Sequence, residues 1–285
     1  MTPSAFLIGI DSDGTAFDSM NIKHLDAFIP AALEIWPMRE ETAARFTEIE
    51  KTVNLFSSLR GINRFPGLLE AFERLEKEFP DEKGLPDLND LRAYIQGETR
   101  YFPATLKAWM KGHPSAELDR ALAWSERADE LFTKACEGLM PYPGVREAMK
   151  KAWPSAAIAV VSSAAKAGLE KDWAAGGLTP FVDYMMSQED GSKTAQLQKA
   201  MSRCGGNVKA LMLGDTDSDG VSAHEAGALF YPIMPGDEAA SWQRFSEEIL
   251  PLFLAGKYGP EEEAKYYGKL KEMLRNCRKL ICNFG

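Results

Sequence analysis

Two kinds of apolar patterning divide this chain. Short runs with little or no polar alternation occur at residues 5–10, 156–161, 182–186, 210–213 and 229–234, which suits strands covered on both faces of a parallel sheet. Elsewhere apolar residues recur at spacings of three and four, the period of a helix that packs along one face. Leu25, Phe28, Ile29, Leu33 and Trp36 form the first such set, closed by Pro37. A second helix is expected over 40–59, and a third from Pro66 with Leu68, Leu69, Phe72, Leu75 and Phe79 on its face. After a loop at 80–87, further helices are expected over 88–96, 104–111 and 116–138.

The order of the two patterns sets the architecture. No convincing strand appears between residues 22 and 140, whereas beyond 141 strands and helices alternate, with helices over 145–153 and 166–175 and another opened by Gly191-Ser192-Lys193. Alternation of this kind implies right-handed crossovers and a parallel sheet. The expected fold is therefore α/β, a Rossmann-like parallel sheet core of residues 1–17 and 141–285 into which an all-α cap domain, 18–140, is inserted. A late helical stripe, Leu270, Leu274, Cys277 and Ile281, is expected to pack on the core rather than form a subunit seam.

Composition narrows the function classes. With 45% apolar and 26% charged residues over 285 positions, the chain can bury one large or two ordinary cores and is not a disordered protein. A net charge of −9 argues against a nucleic-acid partner held through phosphates, which demands a basic face, and favours a divalent cation. The six apolar residues before Asp11, with no basic segment ahead of them, are too few for a signal peptide or membrane span, so a cytoplasmic location and no membrane partner are expected. Cys136, Cys204, Cys277 and Cys282 form no CxxC pair and have no histidine at zinc-ligand spacing, so they are expected to be free thiols of a reducing compartment.

The candidate chemistry collects at the C-terminal ends of the expected strands, where the loops of open α/β sheets converge on ligands. Asp11-Ser12-Asp13-Gly14-Thr15 follows the first, Ser162-Ser163 the second, Lys193 the third, and Asp215-Thr216-Asp217-Ser218-Asp219 the fourth. In order, spacing and strand context these four segments resemble the four motifs of the haloacid dehalogenase (HAD) superfamily. A phosphate monoester is repelled by bare carboxylates, so Asp11, Asp13, Asp215 and Asp219 can act on one only around a hard cation such as Mg²⁺. Lys193 adds positive charge, and Ser162, Ser163 and the backbone N–H groups from Ser12 to Gly14 can donate to phosphoryl oxygens. Asp11 can then attack phosphorus to form an aspartyl-phosphate, while Asp13 protonates the leaving oxygen and later takes a proton from water.

Within the resemblance, an acid at position 13 together with Asp215 implies the phosphatase and phosphomutase branches. Phosphonate-cleaving relatives lack the former and dehalogenases the metal-binding acids. The expectation is a Mg²⁺-dependent phosphatase acting on a small phosphorylated metabolite. A phosphomutase resembling β-phosphoglucomutase is the alternative, and a non-catalytic binding protein on the same fold a distant one.

Several residues admit plainer readings. The segment from Asp215 to Gly220 also matches the first half of an EF-hand loop, but the twelfth position is Ala226 and a strand precedes it. Lys193 could be a solvated lysine at a helix start, Ser162 or Ser163 a cap of the following helix, and Asp217 a surface or loop-stabilising acid. His24 and His224 have no obvious partners, and His113 lies in an expected loop. In the cap, Arg60, Asn63 and Arg64 stand in a Gly- and Pro-bracketed loop, 58–66. Such donors can hold a second anion of the substrate, or the arginines can pair with glutamates such as Glu48, Glu50 or Glu70.

Overall fold

The computed structural model describes residues 4–205 and 207–282, with side chains through residue 275. The chain divides into two compact units, one of residues 4–19 and 138–273 and one built on residues 20–137.

The first unit holds a five-stranded sheet: β1 (Phe6–Ile10), β2 (Ala157–Val161), β3 (Tyr184–Met186), β4 (Lys209–Gly214) and β5 (Leu229–Pro232). Every pairing is parallel and the order is β3-β2-β1-β4-β5, so the fold is the expected α/β, Rossmann-like sheet. β1 lies at the centre, paired with β2 on one side and β4 on the other, and Leu7 and Ile8 are fully buried, each worth about 1.5–3 kcal/mol of transfer free energy. Gly9 is required by the layer above, since a Cβ there would come 2.8 Å from Leu197 of the helix Lys193–Arg203. The chain leaves β1 for β2 on one side and returns to β4 on the other, which opens a crevice beyond the ends of β1 and β4.

Two strand ends differ from expectation. β3 begins at Tyr184 instead of 182 because Val182 follows a 3-10 turn, Thr179–Phe181, although Asp183 N–H already reaches the Ile158 carbonyl of β2. β5 stops at Pro232, short of 234. Leu270 of the last helix, Pro260–Cys282, is buried as the stripe required, whereas Cys277, Ile281 and Cys282 lie outside the residues whose side chains are described. Cys136 and Cys204 are free thiols. No helix among the described residues is long and apolar enough to cross a membrane.

The second unit is helical around a core that includes Trp36, Phe46, Phe65, Phe72, Tyr94 and Trp124. Its first segment departs from the expected period: residues Ile22–Phe28 form a π-helix. The wider turn rotates the face, leaving Leu25 exposed and His24 buried. The second helix, Glu40–Leu55, ends four residues early, and Ser57 Oγ–H closes it by donating to the Val53 carbonyl at 2.6 Å. The third, Arg64–Glu78, starts before Pro66 because Asn63 caps it, its side chain accepting from Phe65 N–H at 3.1 Å.

Candidate active site

The crevice at the ends of β1 and β4 is built from strand register. Asp11 N–H donates to the Leu213 carbonyl at 3.0 Å, prolonging the β1–β4 ladder by one rung and fixing the first acid beside the second strand's exit. There Asp215 follows Gly214, and Thr15 Oγ1–H donates to its Oδ1 at 3.0 Å. Asp219 is oriented by a reciprocal cap on the helix Asp217–Ala226. Its Oδ2 accepts from Thr216 N–H (3.1 Å) and Oγ1–H (2.7 Å), and its own N–H donates back to Thr216 Oγ1 at 3.2 Å. Gly214 permits this approach, because a Cβ there would stand 2.5 Å from Asp219 Cβ.

The outcome is a cluster in which Asp11, Asp215 and Asp219 each present an oxygen, the three within 4.8 Å of one another and all buried. Lys193 enters at the start of its helix and donates from Nζ to Asp219 Oδ1 at 2.6 Å, with Asp11 Oδ1 2.9 Å away. Burial drives the Asp11 carboxyl well above its ordinary range; Lys193 opposes this, and the charges of Asp219 and Asp215 add to it. Burial works to lower the Lys193 ammonium, but Asp11 and Asp219 overcome it and leave the group above its ordinary range. Three acids against one ammonium leave excess negative charge in a dry site, and an all-oxygen donor set of this kind fits a hard divalent cation. Lys193 is thus a bridge between two carboxylates, not a solvated lysine.

Asp13, read from sequence as a fourth cation ligand, does not contribute its carboxylate to this group. It stands two residues past Asp11 in a tight turn, where Ala16 and Phe17 N–H both donate to the Ser12 carbonyl and Ser19 Oγ–H donates to Asp13 Oδ1. Gly14, at φ 73°, provides the left-handed step. Its N–H donates to the Phe17 carbonyl at 2.9 Å, which removes that amide from the expected phosphate donors. Ser12 Oγ accepts from Trp173 Nε1–H at 3.0 Å. Ser162 is buried, and its Oγ accepts from Ala164 N–H at 3.1 Å. The helix Lys166–Ala175 has Ala165 at its N-cap, so neither Ser162 nor the exposed Ser163 caps it.

Three supporting residues escaped the sequence. Gln196, fully buried, accepts from Ser162 N–H at 2.9 Å and donates to the carbonyls of Ser162 (2.9 Å), Ser187 (2.8 Å) and Gly191 (3.0 Å). One amide thereby joins the loops after β2 and β3 to the helix that carries Lys193. Trp173 holds Ser12, and Trp242 Nε1–H donates to the Thr15 carbonyl at 2.8 Å. The only local signal was the placement of Gln196 three residues after Lys193, on the same side of one helix.

In the helical unit, Arg60, Asn63 and Arg64 have partners of their own. Arg60 is buried and donates to the Leu55 carbonyl at 2.7 Å. Asn63 Nδ2–H donates to the Tyr101 carbonyl at 2.9 Å. Arg64 pairs with Asp129 (2.7 Å), donates to Ser125 and lies over the Phe28 ring, so its acid partner is none of the three glutamates expected. The histidines also have partners: His24 meets Glu50 at 2.7 Å, His224 pairs with Glu263, and His113 stacks on Trp109.

No family model matches the sequence, and no curated protein matches it. Solved structures do. A predicted phosphoglycolate phosphatase from Haemophilus somnus 129PT is 17% identical, with 81% of this chain and 86% of that chain covered at a TM-score of 0.50. A HAD family hydrolase from Deinococcus radiodurans R1, crystallised with phosphate and sodium, is 15% identical, covering 90% of this chain and 97% of that one at 0.51. At these identities the likeness is one of fold, and the chain has the HAD-like α/β fold.

Proposed function

We propose that this chain, built on the fold of HAD-type hydrolases, is a Mg²⁺-dependent phosphatase that hydrolyses a small phosphorylated metabolite. The observation that carries the reading is the buried cluster of Asp11, Asp215 and Asp219 bridged by Lys193. Asp11, Asp215 and Asp219 would hold the cation, which when bound offsets the carboxylate charge and polarises the phosphoryl group. An Asp11 oxygen attacks phosphorus as the bond to the leaving oxygen breaks, giving an aspartyl-phosphate. Asp13, two residues away on a turn pinned by Gly14 and Ser19, gives its proton to the leaving oxygen. Water then attacks phosphorus, Asp13 takes its proton, phosphate departs and the Asp11 carboxylate is restored. Lys193 and the Ser162 hydroxyl stabilise the charge on the phosphoryl oxygens.

The helical unit is proposed as a cap that selects the leaving group, with the core and cap divided at 18–140. The test is hydrolysis of an aryl phosphate and of a panel of phosphorylated sugars, acids and nucleotides, with Mg²⁺ and with EDTA. Turnover that needs Mg²⁺ and is abolished in Asp11→Asn is expected. Turnover that survives EDTA, or an Asp11→Asn enzyme within about tenfold of the parent, would refute the mechanism.

A further inference from the structure

In the α/β unit, the helix Pro260–Cys282 packs against the turn that carries two of the clustered acids, and its residues have no part in the chemistry above. Tyr267, 6% exposed, donates its O–H to Asp217, the carbonyl at 3.1 Å and Oδ1 at 2.6 Å. Asp217 is the first residue of the helix Asp217–Ala226 and lies midway between Asp215 and Asp219. Burial, then the bond to Asp217, raises the phenol well above its ordinary range, so it remains a donor at any working pH.

A second contact explains a residue that the EF-hand pattern had singled out. A Cβ on Gly220 would come 2.5 Å from both Cζ and the oxygen of Tyr267, so the phenol ring lies against the backbone next to Asp219. Lys271 completes the arrangement, its Nζ 3.8 Å from the Tyr267 ring centroid and 3.6 Å from Asp217 Oδ1. The start of the long helix is tied to the same helix and to the sheet, Glu263 pairing with His224 of Asp217–Ala226 and accepting from Phe230 N–H of β5 at 3.2 Å.

We propose that the C-terminal helix is the positioning layer of the cation site, with Tyr267 as the residue that holds the turn 215–219 in place. The reasoning is geometric and electrostatic. Fixing both the carbonyl and the carboxylate of Asp217 fixes the backbone two residues to either side, from which Asp215 and Asp219 project. Tyr267 and Lys271 also compensate a fourth carboxylate close to three others, so that its charge does not splay the turn. This inference rests on the reading of Asp11, Asp215 and Asp219 as a cation site.

The experiment titrates Mg²⁺ alone into the full chain by calorimetry, for the parent, Tyr267→Phe and Gly220→Ala. Outer residues of this kind affect metal affinity about 10–100-fold, and both variants are expected to lose about tenfold, with kcat at saturating Mg²⁺ within about twofold of the parent. Tyr258→Phe is the control: it loses a buried phenol bond to the Phe230 carbonyl, 2.8 Å in the parent, and should lower Tm without changing Mg²⁺ affinity. A Tyr267→Phe protein that binds Mg²⁺ as tightly as the parent overturns the proposal. Should that variant fail to fold, hydrogen exchange on the parent decides. Mg²⁺ should slow the amides of 217–226 and 262–271 together, and an unchanged 262–271 segment overturns the proposal. A parent that takes up no Mg²⁺ refutes the cation site itself; a parent that binds while the variants bind alike refutes only the role of Tyr267.

Discussion

Replacing Gln196 with leucine keeps the volume of the side chain but removes four hydrogen bonds at once. Three of the abandoned groups, the N–H and carbonyl of Ser162 and the carbonyl of Ser187, belong to residues no more than 2% exposed, while Gly191 is exposed and its carbonyl can turn to water. At about 1–3 kcal/mol for each buried orphan the ceiling is about 3–9 kcal/mol. Leucine also avoids the cost of burying an amide, which brings the expected loss to about 2–4 kcal/mol. With about 2–4 °C of Tm for each kcal/mol in a unit of this size, the melting temperature should fall by about 4–16 °C. Thermal unfolding followed by circular dichroism measures this. Gln196→Glu should do worse, since it sets a carboxylate against three carbonyl oxygens. In whatever fraction stays folded at low temperature, aryl phosphate turnover should drop, because Ser162 and Lys193 lose their common tie. A Gln196→Leu protein melting within about 2 °C of the parent would show that these loops are held by something else.

Asp13→Ala should slow hydrolysis of alkyl phosphates by roughly 10²–10⁴-fold but aryl phosphates much less, because an aryl oxygen leaves without a proton; equal losses on both would remove Asp13 from proton transfer. Gly214→Ala should push Asp219 out of the cluster and weaken Mg²⁺ binding in calorimetry while leaving far-UV circular dichroism intact, and unchanged affinity would mean the turn has room that the 2.5 Å approach denies. Arg64→Ala should destabilise the helical unit by about 1–2 kcal/mol through the Ser125 hydrogen bonds, seen as an earlier thermal transition. A rise in KM for one substrate with no change in stability would instead return Arg64 to substrate selection.

The candidate residues at strand ends were legible because two constraints coincide there: an uncharged run marks the strand, and the polar group that follows it has few other reasons to be present. Asp11, Lys193, Asp215 and Asp219 fall in this class, and the sheet brings all four together. Gln196, Trp173, Trp242 and Tyr267 were illegible for the opposite reason. A buried glutamine or an aromatic N–H or O–H has the same local pattern whether it packs passively or bonds a loop far away in sequence, as Tyr267 does across 50 residues to Asp217. The π-turn at Ile22–Phe28 was hidden in another way, since one extra residue in a turn moves a whole face while leaving the three-four spacing nearly intact. The place of the Asp13 carboxylate outside the cluster was not legible either, because i and i+2 spacing is equally compatible with convergence and with a turn that separates the pair.

The position of β1 at the centre of the sheet has a consequence for how the protein comes into being. Its partners β2 and β4 begin at Ala157 and Lys209, about 150 and 200 residues downstream. At about 5–20 residues per second the ribosome needs roughly 8–30 s to supply the first and 10–40 s to supply the second. Throughout that interval Phe-Leu-Ile-Gly-Ile is an apolar strand with two bare edges, the kind of segment that pairs with whatever strand it meets. The helical block made in the meantime has its own core, and the helix that closes it, Ala116–Ala135, is complete before β2 begins. It can therefore fold while β1 waits. Asp11 is thus made about 200 residues before Asp215 and Asp219, and joins them only once both have been synthesised. Turnover should consequently appear later in a synthesis time course than the helical signal does, and chaperone dependence should trace to the first strand instead of to the larger helical segment that follows it.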